Sequence, residues 1–164
     1  MNNINKIKSK IYCLEKLQDD VKKWKKKGEK IVFTNGCFDI LHKGHVEILA
    51  KSADLGNKII VGVNSDKSVK NLKGIDRPIV NEHSRTMLLA SLSIVDAVIL
   101  FDEETPINLI KIIKPDILTK GGDYSFDTVV GNNFVNEEGG KTALIPLVQG
   151  YSSTQIIEKI KKLK

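Results

Sequence analysis

Short apolar runs alternate with apolar residues at helical spacing along most of the chain. Ile31–Thr34, Ile59–Val63, Ala97–Phe101, Ile117–Thr119 and Ala143–Pro146 are each too short for a helix. They read as strands buried on both faces. Between them, Val46–Leu55 carries helical spacing and stops at Gly56. Asn81 suits the cap of a helix through Met87, Leu88 and Leu92, and Thr105-Pro106 suits the start of another, which carries Ile107, Ile110 and Ile113 and ends at Pro115. Ser153 or Thr154 can cap a last helix with Ile156, Ile157 and Ile160 on one face. This alternation predicts an α/β fold, a parallel sheet of about five strands with helices on both faces. Such sheets take ligands beyond the carboxyl ends of the strands, where strand order reverses.

The N-terminal segment follows a different pattern. Leu14, Leu17, Val21 and Trp24 form one stripe, which Ile4, Ile7 and Ile11 extend upstream. Glu15, Asp19 and Asp20 precede Lys22–Lys27, the order a helix dipole favours, and Gly28 closes the helix. Residues 1–29 therefore read as a helical extension ahead of a domain spanning 30–164. The stripe suits packing onto that domain, and a homodimer seam is the competing use. Gln18 interrupts the regular heptads that a seam needs.

Composition narrows the classes. A chain of 164 residues can bury a core without a disulfide or metal staple. Cys13 and Cys37 make no disulfide framework and are expected to be free thiols. The net charge of +6 belongs to the two ends: residues 1–30 hold ten lysines against four acids, and residues 155–164 hold four against one. Arg77 and Arg85 are the only arginines, and aromatics make up 5% of the chain. That composition lacks the arginine forks and stacking platforms of nucleic-acid readers, so no nucleic-acid partner is expected. No apolar run approaches the ~20 residues of a membrane helix, and the polar N-terminus lacks the apolar core of a signal peptide. No membrane association is expected, and the cytoplasm is the expected compartment.

The chemistry concentrates in Asn35-Gly36-Cys37-Phe38-Asp39-Ile40-Leu41-His42-Lys43-Gly44-His45, between the first main strand and its helix. Gly36 suits a tight turn. His42 and His45, three apart at a helix start, share a face. Gly44 removes a side chain where a phosphate could approach the backbone, and the helix start adds free N–H groups. Two imidazoles, a bare backbone and a helix start suit a phosphate chain. Zinc is the other use of paired histidines, but no third ligand stands at a matching spacing. His83 has no partner nearby and reads as structural.

Thr34-Asn35-Gly36-Cys37-Phe38-Asp39 with His42-x-Gly44-His45 resembles the cytidylyltransferase-like nucleotidyltransferases, which have a Rossmann-like fold. Val63-Asn64-Ser65-Asp66, Leu72-Lys73-Gly74-x-Asp76-Arg77-Pro78-Ile79, Arg85, Lys120-Gly121-Gly122-Asp123-Tyr124 and Gly150-Tyr151-Ser152-Ser153-Thr154 extend the resemblance from about Ile11 to the C-terminus. The combination looks most like the D-glycero-β-D-manno-heptose 1-phosphate adenylyltransferases of lipopolysaccharide precursor synthesis. The resemblance implies attack of a sugar 1-phosphate on the α-phosphorus of ATP, with pyrophosphate leaving. A phosphate monoester is largely ionised near pH 7, so no general base is needed, and the chain shows no nucleophile motif.

The same resemblance implies residue roles. His42, His45 and Arg85 stabilise the reacting phosphates. Asn35, Gly36, Cys37, Phe38 and Gly44 line the phosphate pocket, and Ser152, Ser153 and Thr154 offer hydroxyls and helix-start N–H groups. Lys120, Gly121, Gly122 and Asp123 contact the nucleoside. Asp39, Asn64, Lys73 and Arg77 face the acceptor, with bracing of the turn as the alternative for Asp39. Mg2+ is implied as the companion of ATP, held mostly by phosphates and water. In many members a sugar kinase precedes this domain, and 164 residues leave no room for one, so a separate heptose kinase is the expected pathway partner. The alternatives are a cytidylyltransferase acting on glycerol 3-phosphate or another alcohol phosphate, and a nucleotide sensor without turnover. Intact His42, His45 and Arg85 argue against the sensor.

Overall fold

The computed structural model describes residues 2–122 and 124–163. In chain order the elements are α1 (Asn3–Lys8), β1 (Ile11–Tyr12), α2 (Leu14–Lys26), β2 (Ile31–Gly36), α3 (Lys43–Ala53), β3 (Lys58–Asn64), α4 (Asp66–Lys73) and α5 (Glu82–Ser91). Then come β4 (Ala97–Phe101), α6 (Ile107–Ile113), β5 (Ile117–Gly121), a 3-10 turn (Phe126–Thr128), α7 (Asn132–Glu137), β6 (Lys141–Ile145) and α8 (Ser153–Lys161). The six strands form one sheet in the order β1-β4-β3-β2-β5-β6, with every pairing parallel.

The five expected strands are β2 to β6. The sixth, β1, adds to the edge, where Ile11 stands opposite Val98. Two residues leave no alternation to read, and Ile11 looked like one more step of the helical stripe. The N-terminal segment is thus two helices and a strand rather than one helix. Its stripe is spent within the chain: Leu17 and Val21 are buried in the core, with Leu14 and Trp24 packed against it. Burial of Leu17 and Val21 is worth about 1.5–3 kcal/mol each. This is the packing onto its own domain that the stripe suits.

The core has two layers because successive strand residues point to opposite faces. Ile31 and Phe33 of β2 join Leu17, Val21, Ile110 and Ile113 on one face. Val32 joins Val61, Val98, Leu49 and Leu89 on the other. Caps sharpen the helix starts. The Asn81 side chain accepts from Ser84 N–H at α5, as the sequence implied. Ser152, not Ser153 or Thr154, caps α8 by accepting from Gln155 N–H. Pro106 is itself the cap residue of α6, one position earlier than its expected place.

Candidate active site

β2 lies between β3 and β5, so strand order reverses at its carboxyl end. A cleft of about 500 Å3 opens there, the size and place expected for a ligand site in such a sheet. The turn Asn35–Asp39 forms its floor, and His42, Gly44 and His45 at the start of α3 stand over it. Lys120 and Gly121 enter from β5, Ser152–Thr154 from α8, and Asn64, Lys73 and Arg77 from the β3 side.

The left-handed residue of the turn is Phe38 (φ 48), not Gly36. A non-glycine residue held there costs about 1–3 kcal/mol, and such positions cluster at functional sites. Gly36 makes room instead: a Cβ on it would lie 3.1 Å from the Phe38 ring. Phe38 is buried, and its ring meets His45 edge-on at 5.2 Å. His42, the cap residue of α3, stacks on His45 with centroids 3.8 Å apart. Gly44 also clears space. A Cβ there would stand 3.1 Å from His42 Nδ1 and 3.2 Å from Tyr151 Cβ. Both Nδ1 atoms are buried without a hydrogen-bond partner among the described residues. Nε2 is left as the nitrogen of each ring that can meet a ligand.

Burial, reinforced by the charge of His42, pushes His45 down to about 4, and burial also lowers His42. Two stacked rings cannot both charge cheaply without an anion, so the pair is neutral near pH 7. From pH 6.5 down to about 4 the unfolded chain binds a proton at His45 that the folded chain refuses. Stability is therefore lost as pH falls through that window. The melting temperature of the wild type is expected to drop more between about pH 7 and 5 than that of His45→Gln. Parallel curves for the two proteins would contradict the origin of the shift.

Arg85 stands apart from its expected role. Its side chain is fully buried and does not line the cleft. Nη1 donates to the carbonyls of Cys37 (2.5 Å) and Asn64 (2.7 Å), Nη2 to Asp66 (2.8 Å), and Nε to the carbonyl of Val80 (2.9 Å). It clamps the floor turn to the end of β3 and to α4. Asp39 is a brace as well: it accepts from Arg77 Nε and from the amides of Ile79 and Val80. Asn64 is buried, and its side chain donates to Ser68 Oγ.

The cations that do face the cleft are Lys73, Arg77 and Lys120. Lys120 reaches the carbonyl and side-chain oxygen of Asn35 only at 3.3–3.4 Å, and its ammonium lies 5.3 Å from the Tyr124 ring centroid. Burial lowers its pKa, against the pull of Cys37 and with a smaller push from Lys73. Burial raises the Cys37 thiol, against the pull of Lys73, Arg85, Lys120 and Arg77. Gly121 admits Ile48, whose methyl would stand 2.6 Å from a Cβ there. Gly122 (φ 139) turns the chain toward Tyr124. Asp123 lies outside the described residues. At α8, Ser153 Oγ donates to the carbonyl of Ile40, tying this helix start to the histidine loop.

The cleft also contains residues that sequence reasoning did not assign to it: Tyr124, Tyr151, Ile48, Val129, Val130, Leu147, Val148 and Glu104–Pro106. Most follow the carboxyl ends of β4, β5 and β6, which the parallel topology brings together. Exposed aromatics just past those strand ends, Tyr124 and Tyr151, were the available signal.

Fold and cleft together define an α/β protein with a Rossmann-like parallel sheet and a ligand cleft at the reversal of strand order. The chain belongs to the cytidylyltransferase-like family, whose sequence pattern matches residues 33–159. It is 50% identical over 152 residues to the bifunctional protein HldE of Syntrophotalea carbinolica, covering 93% of this chain and 31% of that protein. It is 53% identical over 159 residues to HldE of Helicobacter pylori strain P12, covering 97% and 32%. The chain thus spans about a third of these curated relatives' length. Among solved structures, a lipopolysaccharide core biosynthesis protein from Thermoplasma volcanium is 34% identical with a TM-score of 0.62, covering 76% of this chain and all of that one. Pantoate-β-alanine ligase from Francisella tularensis, at 18% identity and a TM-score of 0.62 over 92% of this chain and 76% of that one, shares the fold. No helix among the described residues is long and apolar enough to cross a membrane.

Proposed function

We propose that this domain transfers the adenylyl group of ATP to D-glycero-β-D-manno-heptose 1-phosphate, giving ADP-heptose and pyrophosphate for lipopolysaccharide precursor synthesis. The observation that carries the reading is the stacked His42–His45 pair at the start of α3, beside the start of α8, at the strand-order reversal. The identity with HldE along nearly the whole chain supports the choice of acceptor. The triphosphate lies along the two helix starts, whose free N–H groups and positive dipole ends suit it. Its charge raises the affinity of both imidazoles for protons, so their Nε2–H groups donate to oxygens on which charge develops. The ionised acceptor phosphate attacks the α-phosphorus in line with the departing pyrophosphate. Lys120 balances charge from the β5 side. A sugar kinase reaction supplies the acceptor.

Magnesium bound with the triphosphate would offset its charge. Among the described residues no group of three His, Cys, Asp or Glu side chains could hold a metal, and Asp39 and Asp66 are engaged by arginines. Phosphate oxygens and water would hold the ion, its common mode of binding. The deciding experiment is pyrophosphate release with magnesium, crossing ATP and CTP with the heptose 1-phosphate and glycerol 3-phosphate. Release with ATP and the heptose phosphate alone is expected. Release with CTP and glycerol 3-phosphate would move the protein to an alcohol-phosphate cytidylyltransferase.

A further inference from the structure

We propose that Glu104 selects a polyhydroxylated acceptor, its carboxylate receiving sugar hydroxyls where the loop after β4 meets the cleft; this rests on the nucleotidyltransferase reading of the cleft. A cleft built for phosphates should hold no spare negative charge. Lys73, Arg77 and Lys120 line it, and among the described residues Asp39 and Glu104 are the carboxylates beside them. Asp39 is spent on Arg77 and on the amides of Ile79 and Val80. Glu104 is exposed, and among the described residues its side chain has neither a hydrogen bond nor an ion pair. An uncommitted carboxylate repels every anion that enters, so its presence calls for a compensating contact. Its acidic neighbours do not share the position. Asp102 and Glu103 line a separate hollow toward β1, and Glu103 Oε1 accepts from Asn108 Nδ2 at 3.3 Å.

The backbone is anchored on both sides of Glu104. The Glu103 carbonyl accepts from Ser68 Oγ at 3.0 Å, and Ser68 Oγ accepts in turn from Asn64 Nδ2 at 3.0 Å. Both side chains are buried, so this chain of bonds ties the loop after β4 to the end of β3. On the other side, buried Pro106 caps α6. Only the rotations of the Glu104 side chain remain to be ordered on binding. An ionised carboxylate only accepts hydrogen bonds, so its partner is a hydroxyl or a cation. Lys73 lines the same cleft and disfavours a cation. The two exposed rings there already face lysines, Tyr124 with Lys120 and Tyr151 with Lys43, which leaves no aromatic face for an ammonium ligand. Thr105 lines the wall beside Glu104 and adds a hydroxyl that can donate or accept. Sheet order gives this wall to the acceptor. β4 lies beyond β3 on one side of β2, whereas the nucleotide takes the helix starts and the β5 side.

The test loads the protein with magnesium and α,β-methylene ATP, which resists cleavage at the reacting bond. It is then titrated calorimetrically with the heptose 1-phosphate, glycerol 3-phosphate, ethyl phosphate and phosphoethanolamine. Glu104→Ala is expected to weaken binding of the heptose phosphate about tenfold. Glu104→Gln costs about threefold, since an amide oxygen still accepts but without the charge. Ethyl phosphate has no hydroxyl to offer. It is expected to bind both variants as well as the wild type or up to about threefold more tightly, because a repelling charge is gone. Opposite signs for the two monoesters separate hydroxyl recognition from a general disturbance of the cleft. Nucleotide affinity stays within about twofold and the melting temperature within about 2 °C, as fits an exposed side chain. In turnover, the KM for the heptose phosphate rises while the ATP KM holds. Unchanged heptose phosphate binding by Glu104→Ala, an equal loss for both monoesters, a loss of magnesium–nucleotide affinity, or a wild type that prefers phosphoethanolamine would each overturn the assignment and leave the nucleotidyltransferase reading standing. A wild type that binds nucleotide but no monoester would overturn both. Preference for glycerol 3-phosphate, weakened by Glu104→Ala, would keep the role of Glu104 and replace the acceptor.

Discussion

Replacing His42 or His45 with alanine is expected to lower turnover about 10²–10³-fold with the fold intact, the cost of losing one preorganised donor to developing charge. The geometry explains why either deletion suffices. The rings stack at 3.8 Å, and Phe38 supports His45 from its edge. Removing one ring leaves the other without its neighbour and opens the floor to water. The defect belongs in kcat more than in the KM for ATP, because the charge to be stabilised grows toward the transition state. Pyrophosphate release under saturating substrates reads it. Wild-type-like turnover in both variants would remove the histidines from the mechanism. The double variant is expected to be little worse than either single one, since the pair acts as a unit.

The second large effect is on stability. Arg85→Met is expected to destabilise the protein by about 3–5 kcal/mol, the usual result of removing one partner from a buried charged network. For a chain of this size that corresponds to roughly 6–20 °C in melting temperature. The cost arises because the carbonyls of Cys37, Asn64 and Val80 lose their donor together and Asp66 loses its cation. Calorimetry at one fixed pH and salt concentration measures the drop. Activity below the melting range should also fall, because the Cys37 carbonyl belongs to the cleft floor. A shift under about 2 °C would mean that water replaces the guanidinium at little cost.

Local pattern carried much of the architecture. Five strands were legible because a parallel sheet covered on both faces makes each strand a dense apolar run. The start of α5 was legible because Asn81 is a capping residue whose bond is made within one turn. β1 escaped because two residues show no period, and its strand character comes from pairing with β4, a partner more than eighty residues away. α4 escaped because Val69 and Leu72 alone carry its apolar spacing.

The site divides along the same line. The stretch from Asn35 to His45 is contiguous, and helix geometry alone sets the two histidines on one face. Arg85 and Asp39 could not be assigned from sequence, because an arginine or aspartate has the same letter whether it meets a ligand or a backbone carbonyl. Their partners are distant segments of chain: Cys37, Asn64 and Asp66 for Arg85, and Arg77, Ile79 and Val80 for Asp39. The apolar wall made by Ile48, Val129, Val130, Leu147 and Val148 exists only once β5 and β6 stand beside β2. Composition, strand runs, caps and the histidine spacing depend on neighbours within one or two turns, so the sequence by itself determined them. Which charges are spent inside the fold and which are left for a ligand depends on chain closure over dozens of residues, and only the tertiary structure decided that.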